Sequence, residues 1–198
     1  MTSPSIPAPA VTPFSVTPTA IDGLLVLRMK QIDEPRGTVR EFFRASAFAD
    51  AGVPVGPWPQ INATETRQGA IRGLHGEDMV KLVAVVSGEA FGAYVDARAD
   101  SPTRGVVVTV PLVKGTQVLV PAGVCNGFQS VSQGGSQYLY CFTSEWVPGM
   151  AGVAVHPLDP ALSIAWPLPV DESDPAQLSA KDAAQPLFAD IQRRHDAV

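Results

Sequence analysis

His75 is one of three histidines in this chain, and it closes the run Arg72-Gly73-Leu74-His75. An unperturbed imidazole titrates near about pH 6.5, so it takes or gives a proton at neutral pH with little tuning. A lone histidine is more often structural than reactive, but two features favour chemistry here. Arg72 precedes it closely, and a stretch of alternating polarity leads into it: Gln60, Asn62, Thr64 and Thr66 alternate with Ile61, Ala63 and Glu65. That alternation fits a strand with one polar face, and a strand that turns polar side chains inward marks a site.

Other residues offer partners for such a base. Tyr138 and Tyr140 fall on one face of a strand, with Leu139 on the other. Packing is the ordinary role of tyrosine in a sheet; a phenol facing a cavity instead donates a proton or stabilises an oxyanion. Asp182 ends the run Leu178-Ser179-Ala180-Lys181-Asp182. Ser179 suits a helix cap and a first-turn aspartate suits the helix dipole, which explains Asp182 without function. The alternative is a buried carboxylate that holds a histidine in one tautomer. Arg36, Arg72 and Lys81 lie in or beside strands. Each alone reads as surface charge; gathered at one polar face they would clamp an anion. His156 and His195 are remote from His75 in the sequence, and one imidazole does not make a transition-metal site, so no metal is expected.

These side chains need a scaffold of strands. Seventeen glycines and 19 prolines in 198 residues are many for a helical protein and suit an all-β one full of turns. Strands are predicted over residues 24–29, 38–43, 81–86, 90–97, 105–110, 117–120, 129–132 and 136–143, with turns at Asp33-Glu34-Pro35-Arg36-Gly37, Ser87-Gly88-Glu89 and Asp100-Ser101-Pro102-Thr103. Short strands at this spacing indicate a sandwich or barrel. A short helix is predicted over 45–51, with Ser46 able to cap it, and a longer one over 180–194. Residues 1–19 read as a flexible tail, although Phe14 and Val16 would suit an edge strand, and residues 20–198 as a single domain.

Composition sets limits. A net charge of −5 argues against broad binding of a nucleic-acid backbone, though not against a small anion held by a few arginines. No run reaches the roughly 18 apolar residues of a membrane span. Cys125 and Cys141 sit in apolar runs and read as buried free thiols, and no secretory leader is read. A cytoplasmic protein is expected.

The order of motifs resembles one known family. Arg36-Gly37, Glu41-Phe42, Gln60-Ile61-Asn62, Arg72-Gly73-Leu74-His75 and Lys81-Leu82-Val83 come first. Val95-Asp96-Ala97-Arg98, Ser101-Pro102-Thr103, Val120-Pro121-Ala122-Gly123, Asn126-Gly127-Phe128 and Leu139-Tyr140 follow. Asp159-Pro160, Trp166-Pro167 and Leu178-Ser179-Ala180-Lys181-Asp182 complete the series. Together they are similar to the dTDP-4-dehydrorhamnose 3,5-epimerases. The resemblance implies a cupin-type jelly-roll barrel with short peripheral helices, a homodimer, and no metal or other cofactor. It implies inversion at C3, C5 or both of a dTDP-4-keto-6-deoxyhexose, in rhamnose or antibiotic-sugar biosynthesis. By resemblance, His75 is the base, Asp182 its partner and Tyr140 the acid on the far face. Lys81 and Arg72 then lie near the enolate oxygen and the diphosphate. Gln60, Asn62, Arg36 and Glu41 match nucleotide- and sugar-contacting positions, some reaching a neighbour's site across the dimer. Trp146 stands for a family tyrosine and would stack on the base.

Three departures point to an altered pocket. Asn126 stands where the family usually has His, Gly92 where it usually has Asp, and the loop after His75 is shorter than usual. They suggest an enzyme that inverts a single carbon. Two other readings stay open: a 3,4-ketoisomerase of the same sugar nucleotide, and a non-catalytic barrel that only binds it.

Overall fold

The computed structural model describes residues 9–53 and 55–196. In chain order its strands are β1 (Ala10–Thr12), β2 (Ser15–Pro18), β3 (Leu25–Arg28), β4 (Lys30–Glu34), β5 (Gly37–Glu41), β6 (Gln60–Thr66) and β7 (Ile71–Glu77). There follow β8 (Lys81–Ser87), β9 (Ala90–Asp96), β10 (Val107–Leu112), β11 (Thr116–Val120), β12 (Val124–Ser130), β13 (Ser136–Phe142) and β14 (Gly152–Ala154). The helices are α1 (Ala45–Asp50), α2 (Ala180–Ala183) and α3 (Phe188–Asp196).

Two antiparallel sheets form the body. One has the order β2-β3-β11-β8-β13-β6, the other β10-β9-β12-β7-β14. Their facing sides share one apolar core, with Val83 and Val85 of β8, Val118 and Val120 of β11 and Tyr138 of β13 meeting Tyr94 of β9, Val110 and Leu112 of β10 and Phe128 of β12. This is a cupin-type jelly-roll barrel, as the family resemblance implied. The outer faces are covered as well. Leu74, Ala93, Val95 and Cys125 pack beneath Leu162 and the α3 residues Phe188 and Ile191. On the other side Leu27, Leu82, Leu119 and Cys141 pack against Phe48 of α1. Cover on both faces explains why every residue of β11 and β12 is buried and why β8 carries a continuous apolar run from Leu82 to Val85 rather than a clean alternation. Both cysteines are buried and free, and burial pushes the Cys125 thiol up to about 12 and Cys141 to about 11.

Several expectations need correction. From residue 10 onward the N-terminal segment is not a loose tail: Ser15–Pro18 pairs with β3 at the edge of the six-stranded sheet, and Ala10–Thr12 pairs with β4. Residues 1–8 of that expectation lie outside the described residues. A separate three-stranded sheet, β1-β4-β5, joins the predicted strand over 38–43 to a strand the sequence pattern hid, Lys30–Glu34, whose polar residues lack an apolar alternation. Helix α1 is capped by Arg44 without a side-chain hydrogen bond, not by Ser46. The helix expected over 180–194 is two helices. Pro186 disfavours the helical conformation at Gln185 before it and has no amide to donate, and its carbonyl accepts from the His156 amide at 2.9 Å instead. Buried Asp159 organises the same corner, accepting from the amides of Ala161 (2.9 Å) and Phe188 (2.6 Å).

Candidate active site

The site opens between the two sheets. Tyr140 projects from β13, and the polar face of β6 stands beside it: Tyr140 is registered opposite Asn62, and Phe142 opposite Gln60. His75 projects from β7 of the other sheet, registered opposite Asn126 on β12. Strict alternation would send Arg72 and His75 to opposite faces. However, three steps on β7 match two on β12, because Arg72 is registered opposite Phe128. The extra residue is a β-bulge, and it lets both side chains line the same cleft. Gly73 makes the bulge possible: its φ is +118°, and a Cβ there would lie 2.5 Å from the Cα of Gly127.

Asp182 reaches His75 from the C-terminal segment. The Gln177 carbonyl accepts from the Ile71 amide at 2.8 Å, which ties that segment to the start of β7. Ser179 then caps α2, its hydroxyl accepting from the Asp182 amide at 3.1 Å. The cap and the functional reading of Asp182 therefore hold together. With its amide bound to the cap, its carboxylate lies 2.6 Å from His75 Nε2. Burial alone would raise the Asp182 carboxyl. The hydrogen bond and positive charge of His75, the Ser179 hydroxyl and a Gly73 backbone contact outweigh it and hold the group below the usual carboxylate range. An ionised Asp182 accepts from Nε2–H, which leaves the basic lone pair of the neutral ring on Nδ1.

The cleft has a volume of about 630 Å³. Arg67, Arg72 and Lys181 give it positive charge, and Trp146 stands at its edge, about half exposed. Gln60 fixes that edge: its Oε1 accepts from the Trp146 amide at 2.7 Å, and its Nε2 donates to Asn62 Oδ1 at 3.1 Å. Burial pushes the Tyr140 phenol up to about 12; the Thr64 hydroxyl and Arg72 charge pull it down only in part, and the Glu77 and Asp182 charges push it further up. Behind the cleft lies a compartment of about 60 Å³ walled by His75, Glu77, Lys81, Asn126 and Tyr140. Lys81 is nearly inaccessible there, at 3% exposure. Its ammonium donates to the His75 carbonyl at 3.0 Å, to Asn126 Oδ1 at 2.7 Å and to the Glu77 carboxylate. Among the described residues no group of three or more His, Cys, Asp and Glu side chains is placed to hold a metal ion.

The sequence profile of the dTDP-4-dehydrorhamnose 3,5-epimerases matches residues 18–190. The chain belongs to this family. It is 34% identical over 179 residues to the dTDP-4-dehydrorhamnose 3,5-epimerase of Salmonella typhimurium, covering 87% of this chain and 94% of that one. It is 31% identical over 182 residues to a dTDP-4-dehydro-6-deoxyglucose 3-epimerase of Streptomyces bikiniensis, covering 89% and 90%. In structure it is similar to a 4-keto-6-deoxy sugar epimerase from the novobiocin biosynthetic gene cluster of Streptomyces spheroides, with a TM-score of 0.84, 28% identity, and coverage of 96% of this chain and 95% of that one.

Set beside the family expectations, the fold gathers most of the expected residues. His75, Asp182, Tyr140, Arg72, Gln60, Asn62 and Trp146 line the cleft, and Lys81 and Asn126 wall the compartment behind it. Arg36 and Glu41 line neither. Arg36 sits in the β4–β5 turn, largely exposed and paired with Glu34 at 2.6 Å. Glu41 ends β5 and pairs with Arg44 and Lys30. Sequence reasoning missed Glu77, Phe142 and Lys181 as lining residues. A signal for Glu77 was present: it stands two places after His75, on the same strand face, and four before Lys81.

Proposed function

We propose that this chain is an epimerase of a dTDP-4-keto-6-deoxyhexose, inverting C3, C5 or both by proton abstraction on one face and reprotonation on the other. The observation that carries the reading is a His–Asp pair, with its histidine on one sheet, and a partly buried tyrosine on the other sheet, lining a single cleft of sugar-nucleotide size. C3 and C5 are both α to the C4 ketone, so loss of either proton gives an enolate. His75 takes the proton on Nδ1 while Asp182 stabilises the imidazolium. Tyr140 donates to the opposite face. Arg72 supplies positive charge where the enolate oxygen develops, and Lys81, itself nearly inaccessible, adds to it from behind. Arg67 and Lys181 suit the diphosphate, and Trp146 suits the face of the thymine ring.

Arg36 and Glu41 belong to this reading through a homodimer. The three-stranded sheet that bears them carries exposed Val11 and Val39, which suits it to lie against a second copy and offer both residues to its cleft. Asn126, with a neutral amide in place of the usual imidazole, and Gly92, with no side chain, favour inversion of one carbon over two.

The test is incubation with dTDP-4-keto-6-deoxyglucose and product analysis by NMR. The expected product has an inverted centre at C3, C5 or both, with the ketone still at C4. A ketone moved to C3 makes the protein a ketoisomerase, and binding without conversion makes it a non-catalytic barrel; either outcome overturns the proposal.

A further inference from the structure

We propose that the inner compartment, with the Glu77 carboxylate in its wall, carries a proton from His75 back to Tyr140 and so resets the acid–base pair between inversions. The inference rests on the reading of His75 as base and Tyr140 as acid. Opposite-face transfer leaves the protein in a different state from the one it began in. His75 has gained the carbon's proton and Tyr140 has lost its own. The next inversion requires the change His75–H⁺ plus Tyr140–O⁻ to His75 plus Tyr140–OH, with no other gain or loss.

A sugar nucleotide in the outer cleft stands between these two groups and bulk water. The inner compartment touches both from behind, together with Glu77, Lys81 and Asn126. Its volume of about 60 Å³ has room for water beside these polar groups. Glu77 stands two places after His75 on the same strand face and both line the compartment, so a water held there would bridge them. Lys81 holds the carboxylate in place: the same ammonium is fixed by the His75 carbonyl and by Asn126, so it cannot carry Glu77 away from the compartment. Burial would raise the Glu77 carboxyl, but the charge and hydrogen bond of Lys81 hold it below the usual range, so it is ionised and able to accept. It accepts the Nδ1 proton transiently and releases it to the phenolate. The net transfer runs downhill, because the Tyr140 phenol, pushed up to about 12, is a far stronger base when ionised than an imidazole. If both carbons are inverted in one binding event, the reset has to occur with the cleft still filled, which is when an internal route matters most.

The experiment compares wild type with Glu77→Gln, which keeps the shape but cannot accept the proton. The first inversion of dTDP-4-keto-6-deoxyglucose, read at the first carbon to change, is followed with enzyme in excess, where one abstraction and one donation suffice, and overall turnover is followed with substrate in excess, where every cycle needs the reset. The single-turnover rate of Glu77→Gln is expected to stay within about twofold of wild type, while kcat falls about tenfold or more with an enlarged solvent deuterium isotope effect. Glu77→Asp, which restores a carboxylate, should recover part of kcat. Equal losses in both regimes, or no loss in either, overturn the relay. If Glu77→Gln does not fold, Glu77→Asp carries the same comparison, with kcat lowered and single turnover spared. Absence of any conversion by wild type is a different result: it overturns the epimerase reading itself, and the relay with it.

Discussion

The 2.6 Å contact between His75 Nε2 and Asp182 decides which ring nitrogen is free to act. Asp182→Asn keeps the size but loses the charge that stabilises the imidazolium, so kcat should fall about 10²- to 10³-fold with little change in KM. Steady-state kinetics on purified, folded variant check this. The same pair gives a pH dependence. The Asp182 carboxyl is held below its ordinary value in the folded chain, so it contributes stability above the unfolded aspartate value of about 3.9 and loses that contribution as pH falls through the folded value. Thermal melts taken from pH 6 downward should therefore show a steeper acid loss for wild type than for Asp182→Asn. Tyr140→Phe separates the two faces: it should slow inversion more than hydrogen exchange at the His75 face, and equal loss of both would count against distinct acid and base roles. His75, Tyr140 and Asp182 were candidates by residue type, each with an ordinary structural role beside it, and only the family resemblance set them together as base, acid and partner. The spacing of Glu77 from His75 and Lys81 was visible too, but the ion pair with Lys81 that gives it significance exists only in the fold.

At the scale of elements, the polar face of β6 was visible as simple alternation, and a sandwich or barrel as a succession of short strands between turns; the jelly roll came only with the family resemblance. The bulge in β7 was not. Nothing in Arg72-Gly73-Leu74-His75 states that one residue will be left over, and alternation alone would have separated Arg72 from His75. What places the bulge is the close approach of Gly73 to Gly127 on the neighbouring strand, a contact remote in sequence. Gly73→Ala should accordingly cost about 1–3 kcal/mol of stability, from its positive φ and the backbone it would strike, and should lower activity further by displacing His75. Chemical denaturation and kinetics on the same preparation separate the two effects. The C-terminal helices teach the complementary lesson. Helical residues over 180–194 were recognised, but the break at Pro186 matters more than their propensity, because it frees α2 to place Asp182 under His75 while α3 covers the outer face of the sheet.

Over the whole molecule, the barrel brings residues from β6, β7, β13 and α2 to one cleft and leaves Arg36 and Glu41 outside it. A homodimer accounts for both, and predicts a solution mass of about twice the 20.8 kDa chain by sedimentation equilibrium. A monomer with full activity would contradict that arrangement. The expectation of a dimer came only from the family resemblance, because the N-terminal strands carry too little apolar mass to announce a sheet by themselves. The central claim, that this barrel moves protons on and off a sugar carbon through His75, has a direct test. Wild type and His75→Ala are incubated with dTDP-4-keto-6-deoxyglucose in deuterium oxide, and the sugar carbons are read by NMR. The account predicts deuterium at C3, C5 or both with wild type, and exchange slowed by at least about 10²-fold in His75→Ala. Exchange by His75→Ala as fast as wild type, or sugar nucleotide bound by wild type with no deuterium entering any carbon, would contradict it.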